Sequence, residues 1–120
     1  DVIAHGTDGI STLRISAGEI ELPGVQASIG ARVRLRVLAQ DVILSLNRPK
    51  GLSSVNVLPV EVETIHPGDG PGAAIALRAG SDRLLSRVTA RAVAELGLVP
   101  GMKCYAIPKS ETAAPGSIGR

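Results

Sequence analysis

The chain has 120 residues, of which 44% are hydrophobic, and its net charge is only +2. Its single tyrosine is its only aromatic residue, which argues against a protein that stacks the bases of single-stranded nucleic acid on aromatic side chains. No apolar run approaches the length of a membrane span, and the polar start DVIAHGTDG has neither the pattern of a signal peptide nor an initiator methionine, so we expect a fragment of a longer protein.

Alternation of polar and apolar residues predicts that most of the chain is β-strand. The clearest segment is ARVRLRVLA, residues 31–39, where three arginines alternate with valine and leucine; the arginines form either a solvated sheet face or an anion-binding surface. Proline lacks an amide proton, so Pro59 places its part of a strand at an edge or a bulge. The predicted strands are 11–16, 18–24, 31–39, 41–46, 55–65, 73–80, 83–89 and 102–109.

One short helix is predicted at residues 89–97. Thr89 is a favourable N-cap residue, and Gly97 is a typical residue at a helix end. Val93 and Leu96 fall on one face of this helix, which we expect to pack on the sheet. Many short strands with a single helix predict an all-β fold, a small barrel.

The loop NRPKGL, residues 47–52, is a candidate boundary within the chain. A weak sequence similarity between residues 29–37 and 100–108 leaves open that the first strands form a second barrel half. We expect four segments: a disordered segment or linker at 1–9, an N-terminal β segment at 10–50, a barrel domain at 51–110 and a disordered tail at 111–120.

Sequence motifs for catalysis are missing. The chain contains no GxxxxGK[ST], GxGxxG, HExxH or GxSxG pattern, so we interpret it as a non-enzyme without an intrinsic cofactor. His5 and His66 fall in loop-like segments without a neighbouring cysteine, which predicts solvated side chains and no metal site. Cys104 is the only cysteine, and we expect it to be a small buried apolar residue.

Two stretches carry a family resemblance. RVRLRVLAQDVILSLNRPKGLSSVNVLPVEV (32–62) and RVTARAVAELGLVPGMKCYAIPKS (87–110) resemble the C-terminal regulatory region of molybdate ABC transporter ATPase subunits. Residues 53–110 resemble the Mop-like or TOBE domain. The resemblance implies an OB-like barrel, a position after an ATPase domain, and a cytoplasmic location at the inner membrane beneath a permease. It also implies self-association and the binding of molybdate or tungstate between subunits.

The resemblance also implies a set of oxyanion-binding residues. The first family motif, Ser-Ala-Arg-Asn, reads Ser-Ser-Val-Asn at residues 53–56, so Val55 replaces the arginine. The second, Thr-x-x-Ser, begins at Thr89, and Ala92 replaces its serine. A lysine of the last strand is matched by Lys109. Arg91 and Arg87 are candidates to supply the missing charge from a neighbouring position or chain. The candidate ligands are therefore Ser53, Ser54, Asn56, Thr89, Arg91, Lys109 and Ser110.

The leading interpretation is thus a regulatory, non-catalytic domain of a molybdate importer that binds an oxyanion, associates with itself, or does both. A purely structural dimerisation domain is the first alternative. It is favoured by the replacement of the family's arginine by Val55 and of its serine by Ala92. An OB-like nucleic-acid-binding module is a second alternative, which the low aromatic content opposes. A carbohydrate-transporter version of the same barrel ranks below these.

Overall fold

A computed structural model describes residues 1–53, 56–68, 70–109 and 111–115 of the chain; for residues 111–115 only the backbone is described. The strands and helices follow the predicted order closely. Their bounds are β1 Val2–His5, β2 Ile10–Ile15, β3 Gly18–Pro23, β4 Val33–Val37, a 3-10 turn Ala39–Asp41, β5 Val42–Ser45, β6 Leu58–Pro67, β7 Gly72–Ala79, β8 Asp82–Thr89, α1 Ala90–Leu96, β9 Lys103–Pro108 and β10 Glu111–Pro115.

Within these residues the strands form three antiparallel sheets. One contains β1, β2 and β3 in that order, and a second pairs β4 with β10. The third has five strands in the order β5–β9–β6–β7–β8. The predicted all-β fold with one short helix is confirmed. The strands before residue 50 are divided among the three sheets.

Two secondary-structure expectations are corrected at the ends of the chain. The sequence predicts a linker or a disordered segment at residues 1–9, yet β1 pairs with β2 and Val2 is completely buried. Residues 111–115 of the expected tail form β10, which pairs with β4 from Glu111 opposite Val37 to Pro115 opposite Val33. Both strands are short or rich in small residues, so alternation alone gives little signal there. Residues 116–120 lie outside the described residues, and the proposed domain boundaries remain predictions.

Pro59 lies in a strand that is central to the five-stranded sheet. At Pro59, however, β6 is paired on one side only. Pro59 is opposite Tyr105 of β9, whereas the ladder between β6 and β7 begins only at Glu61. The missing amide proton therefore interrupts no ladder toward β7. The bulge in β6 occurs later, between Val62 and Thr64.

The five-stranded sheet curls until its outer strands, β5 and β8, approach each other. The Ser86 hydroxyl, which is fully buried, donates a hydrogen bond of 2.8 Å to the carbonyl oxygen of Val42. No backbone ladder joins β5 to β8 in the described part of the chain. This barrel-like sheet is therefore closed by a side chain where a complete barrel would have main-chain pairing.

A single hydrophobic cluster joins the three-stranded sheet to the five-stranded one. The first sheet contributes Leu13, Ile20 and Leu22, and the alternating buried residues of β7 include Ile75 and Leu77. Side chains of two polar residues also join the sheets. We call them the Ser16 joint and the Asn56 joint; the second is described with the candidate site.

The Ser16 joint connects the turn between β2 and β3 to the turn between β7 and β8. The Ser16 hydroxyl lies 2.6 Å from a carboxylate oxygen of Asp82 and 3.1 Å from the carbonyl oxygen of Ala79, and it accepts a hydrogen bond from the Ser81 amide. Gly80 passes directly against Ser16 at this place: a Cβ added to it would lie 2.7 Å from the Ser16 carbonyl carbon. Only a glycine permits this approach.

The helix α1 has the ends that the sequence predicts. The Thr89 hydroxyl accepts a hydrogen bond from the Ala92 amide at 3.0 Å, and Gly97 adopts the left-handed conformation with φ of 66°. Val93 and Leu96 pack against the hydrophobic cluster. With seven residues α1 is far too short to cross a membrane, and no other helix in the described ranges is long and apolar enough to do so.

Candidate oxyanion site

The first candidate segment contains one exposed and one buried residue. Ser53 is exposed, whereas Asn56 is only 5% exposed. The Asn56 side-chain oxygen accepts a hydrogen bond from the Glu21 amide at 2.8 Å, and its side-chain nitrogen donates to the Glu21 carbonyl oxygen at 2.9 Å. These two bonds form the Asn56 joint, which holds β3 in the way a neighbouring strand would. Ser54 and Val55 lie outside the described residues.

Lys109 lies at the end of β9, and its side chain is exposed. Its amide donates a hydrogen bond of 2.7 Å to the carbonyl oxygen of Asp41, which fixes the main chain at this point. Because Leu58 is opposite Ala106 in the β6–β9 ladder, the start of β6 and the end of β9 lie at the same end of the sheet. Asn56, two residues before β6, and Lys109, directly after β9, therefore lie toward the same end of the sheet. Ser110 lies outside the described residues.

Thr89 and Arg91 belong to a different part of the fold. Thr89 ends β8 opposite Gly72 and caps α1, and Arg91 is exposed in the first turn of that helix. The Ala90 amide donates to the Pro71 carbonyl oxygen at 2.6 Å and so ties the helix start to the β6–β7 connection. The Thr89 hydroxyl accepts from Ala92, but a hydroxyl oxygen has a second lone pair and a proton for a further partner.

The five candidate residues that the structure describes are not joined to one another. No hydrogen bond links any two of Ser53, Asn56, Thr89, Arg91 and Lys109. The two cationic side chains of this set, Arg91 and Lys109, are exposed to solvent, and neither forms an ion pair with a carboxylate whose side chain the structure describes. They are available to an anion, whereas Asn56 acts in the fold through its contact with Glu21.

The two histidines are not loop residues. His5 is the last residue of β1, and its ring nitrogens lie 2.7 Å from the Ser11 hydroxyl and 2.8 Å from the Ala27 carbonyl oxygen. His66 lies in β6, 2.9 Å from the Thr64 hydroxyl. The predicted loop position is corrected for both, because each segment extends its strand further than the Gly and Pro signals indicate. Both residues are exposed to solvent, as predicted. Across the described ranges, no three ionisable side chains are grouped as metal ligands.

Cys104 is buried in the hydrophobic cluster, as predicted. Burial raises the pKa of its thiol above the ordinary value, because the thiolate would lose its hydration. The protonated thiol is a poor nucleophile. Cys104 is therefore a packing residue and contributes no reactive group to the site.

One contact near β9 has no counterpart in the sequence interpretation. The Arg48 guanidinium lies over the ring of Tyr105, 5.1 Å from the ring centroid. In the sequence, Tyr105 is notable only as the single tyrosine of a chain with no phenylalanine or tryptophan. The spacing between Arg48 and Tyr105 gives no local signal, since their contact depends on the pairing of β5 with β9.

With the sheets and the candidate residues placed, comparison with known proteins identifies the class. Residues 52–113 match the TOBE domain family. The chain belongs to this family, in agreement with the resemblance of its β6–β9 region. The matched residues include the whole five-stranded sheet except β5.

The most informative relatives are molybdate transport proteins. The chain is 38% identical over 107 residues to the molybdenum import ATP-binding protein ModC of Albidiferax ferrireducens, covering 88% of the chain and 29% of the relative. It is 36% identical over 110 residues to ModC of Paramagnetospirillum magneticum, covering 92% of the chain and 30% of the relative. The chain thus spans less than a third of the length of these relatives.

A solved structure shares both the fold and part of the sequence. The cytoplasmic molybdate-binding protein ModG, crystallised with molybdate bound, superposes with a TM-score of 0.78 at 27% sequence identity. The match covers 88% of this chain and 82% of that chain. The similarity therefore extends beyond the TOBE match and includes the N-terminal sheets.

Proposed function

We propose that the chain is the regulatory region of the ATP-binding subunit of a molybdate importer and that it binds molybdate or tungstate. The similarity to ModC over 92% of the chain supports this proposal most strongly. The resemblance to ModG adds a related fold that holds molybdate. In this proposal the chain acts in the cytoplasm, beside a membrane permease, and the ATPase activity belongs to another domain of the parent subunit.

The proposed binding site consists of Ser53, Ser54, Asn56, Thr89, Arg91, Lys109 and Ser110. A tetrahedral dianion requires several donors and at least one positive charge. Lys109 supplies a point charge, and Arg91 supplies the planar donor fork that Val55 cannot. Asn56 contributes as a positioning residue, because its side chain fixes the segment to Glu21.

We further propose that two copies of the chain complete the site. Lys109 follows β9 at the end of the sheet where β6 starts, whereas Thr89 is opposite Gly72 at the end where β6 finishes. Residues of a second copy would therefore bring the two groups together. Exposed large apolar side chains provide surface for self-association. They are Ile29, Leu38, Ile43, Leu46, Leu52, Leu85 and Val99.

Isothermal titration calorimetry of the chain with molybdate, tungstate and sulfate tests the binding proposal. We expect saturable heat with molybdate and tungstate and none with sulfate. Lys109→Ala should weaken molybdate binding by about ten- to a hundredfold, because a charge-assisted hydrogen bond contributes about 1.5–3 kcal/mol. Arg14→Ala, which removes an exposed charge from β2, is the control and should leave the affinity unchanged. The absence of a heat of binding with all three anions contradicts the proposal.

A structural dimerisation domain without oxyanion binding is the second candidate. It is favoured by the use of Asn56 and Thr89 in hydrogen bonds within the chain. Light scattering with and without molybdate separates the two functions. A dimer whose mass and stability do not respond to molybdate supports the structural function, whereas a dimer that forms or tightens with molybdate supports the regulatory one.

A further inference from the structure

We propose that the outer face of the five-stranded sheet carries a second ligand site, for a small organic anion with two or more acidic groups. The site is a cleft of about 530 Å³, which we call the Arg48–Tyr105 cleft. The residues that the argument uses are Leu46, Arg48, Pro59, Arg78, Lys103 and Tyr105. None of the candidate oxyanion ligands that the structure describes lines this cleft.

Two paired strands form the floor of the Arg48–Tyr105 cleft. In the β6–β9 ladder, Pro59 is opposite Tyr105 and Glu61 is opposite Lys103. The period of two along a strand places Tyr105 and Lys103 on the same face. Arg48 enters from the segment after β5, and its guanidinium is held over the Tyr105 ring at 5.1 Å. This cation–π contact orients the arginine before any ligand arrives.

Three cationic residues, Arg48, Arg78 and Lys103, line the cleft with one carboxylate, that of Glu61. Arg78 is paired with Glu61 at 3.2 Å and with Glu63 at 3.8 Å. Arg48 and Lys103 form no ion pair with a carboxylate in the part of the chain that the structure describes. Two positive charges, one a planar fork and one a mobile ammonium, are therefore left facing the same opening. This arrangement favours a ligand with at least two anionic groups.

The size and the lining of the cleft indicate an organic ligand. Small-molecule sites commonly have volumes of about 300–1,000 Å³, and the cleft falls within this range. A single tetrahedral oxyanion would leave most of it empty. Leu46 is 37% exposed, and with Pro59 and the Tyr105 ring it provides apolar surface beside the charges. A compact carbon skeleton that carries carboxylate or phosphate groups matches both features.

Tyr105 gives a specific readout, because the chain contains no tryptophan and no other tyrosine or phenylalanine. Its intrinsic emission therefore reports on the cleft alone. The experiment titrates the chain with citrate and with pyrophosphate, and sodium chloride at matched ionic strength is the control. We expect a saturable change with citrate, which carries three carboxylates on a carbon skeleton. If the emission saturates with pyrophosphate but not with citrate, the ligand is not an organic anion. If neither anion changes the emission more than sodium chloride does, the cleft is not a ligand site.

Substitutions locate the response. Lys103→Ala should weaken citrate binding by about tenfold. Arg48→Lys keeps the charge but removes the flat guanidinium, so it should change the emission of the free chain and weaken citrate binding several-fold. Arg34→Ala on β4 removes an exposed arginine that does not line the cleft, and it should leave binding unchanged.

The outcome that contradicts a specific cleft is equal weakening by Lys103→Ala and Arg34→Ala, since it would reveal attraction to net charge. This test is independent of the oxyanion proposal. Lys103→Ala should leave the heat of molybdate binding unchanged, because Lys103 is not among the proposed oxyanion ligands.

Discussion

The five-stranded sheet and the three-stranded sheet are built from the same kind of alternating strand but are completed in different ways. Main-chain ladders connect all neighbours in the five-stranded sheet, and one buried hydroxyl, that of Ser86, joins its outer strands. The three-stranded sheet has no ladder to the larger one in the described residues. It is joined by apolar packing, by the Ser16 joint and by the Asn56 joint.

This difference shows where single substitutions have large effects. A ladder distributes its hydrogen bonds over many residues, so no one side chain carries it. A joint depends on one side chain, and its loss leaves partly buried main-chain groups without their protein partners, which costs about 1–2 kcal/mol. We therefore expect the attachment of the three-stranded sheet to be more sensitive than the larger sheet to replacement of a few polar or small residues.

The largest effect should come from Gly80→Ala at the Ser16 joint. Gly80 has φ of 64°, and a Cβ there would meet the Ser16 main chain at 2.7–2.8 Å. Left-handed strain and overpacking together should lower the free energy of unfolding by about 3 kcal/mol. Urea unfolding measures this loss. Gly24→Ala is the matched control, since Gly24 has φ of 71° but no neighbouring atom within 4 Å, and it should cost only about 1–2 kcal/mol. Equal losses would show that the close approach has no energetic effect.

Asn56→Ala tests the second joint. It removes the partners of both the amide and the carbonyl oxygen of Glu21, and we expect a loss of about 2 kcal/mol. Hydrogen exchange at the Glu21 amide should accelerate more than exchange at the centre of β7, because the joint holds β3 locally. Asn56→Asp keeps an acceptor for the amide but loses the donor, so it should protect the Glu21 amide better than Asn56→Ala. Unchanged exchange at Glu21 in both variants would contradict the joint.

Ser86→Ala tests the closure of the larger sheet. The Val42 carbonyl oxygen loses the hydroxyl that donates to it in a fully buried position. We expect a loss of about 1–2 kcal/mol in the free energy of unfolding. Ser45→Ala, on the neighbouring strand β5, removes a hydroxyl whose bond to Asn47 is exposed and should change stability by less than about 0.5 kcal/mol. A Ser86→Ala loss as small as that of Ser45→Ala would mean that packing alone closes the sheet.

The sequence predicts the features that depend on neighbouring residues. The period of two locates β2 to β9, and the cap at Thr89 follows from a contact over three residues. Contacts between distant residues are not predicted. Asn56 binds Glu21, which is 35 positions away in the sequence, and Ser86 binds Val42, which is 44 positions away. In a strand, polar residues such as Ser86 are usual on the solvated face, so nothing in the local pattern marks it as buried.

The same limit applies to the candidate site. Its residue types follow from the resemblance to the TOBE family, but their grouping depends on strand register. The β6–β9 register brings the start of β6 to the end of β9, near Lys109. The sequence did not indicate that Asn56 would be buried against β3, because the pattern Ser-Ser-Val-Asn is equally typical of an exposed turn.

The smallest effect on stability concerns Thr89, which caps α1 on the larger sheet and is also a proposed oxyanion ligand. Thr89→Ala removes the acceptor of the Ala92 amide and should cost about 1 kcal/mol. It cannot separate capping from binding, because it removes the hydroxyl from both. Thr89→Asp does separate them. Aspartate is at least as good an N-cap as threonine, so the free energy of unfolding should stay within about 0.5 kcal/mol of its original value.

The carboxylate of Thr89→Asp would repel a molybdate dianion at short range. If Thr89 is a ligand, calorimetry should show molybdate binding lost in this stable variant, while Thr89→Ser retains both stability and binding. If Thr89→Asp binds molybdate as well as the original chain, Thr89 is only a helix cap. The oxyanion would then have to be held by Lys109 and its neighbours at the end of β9, where the Asp41 carbonyl already fixes the main chain.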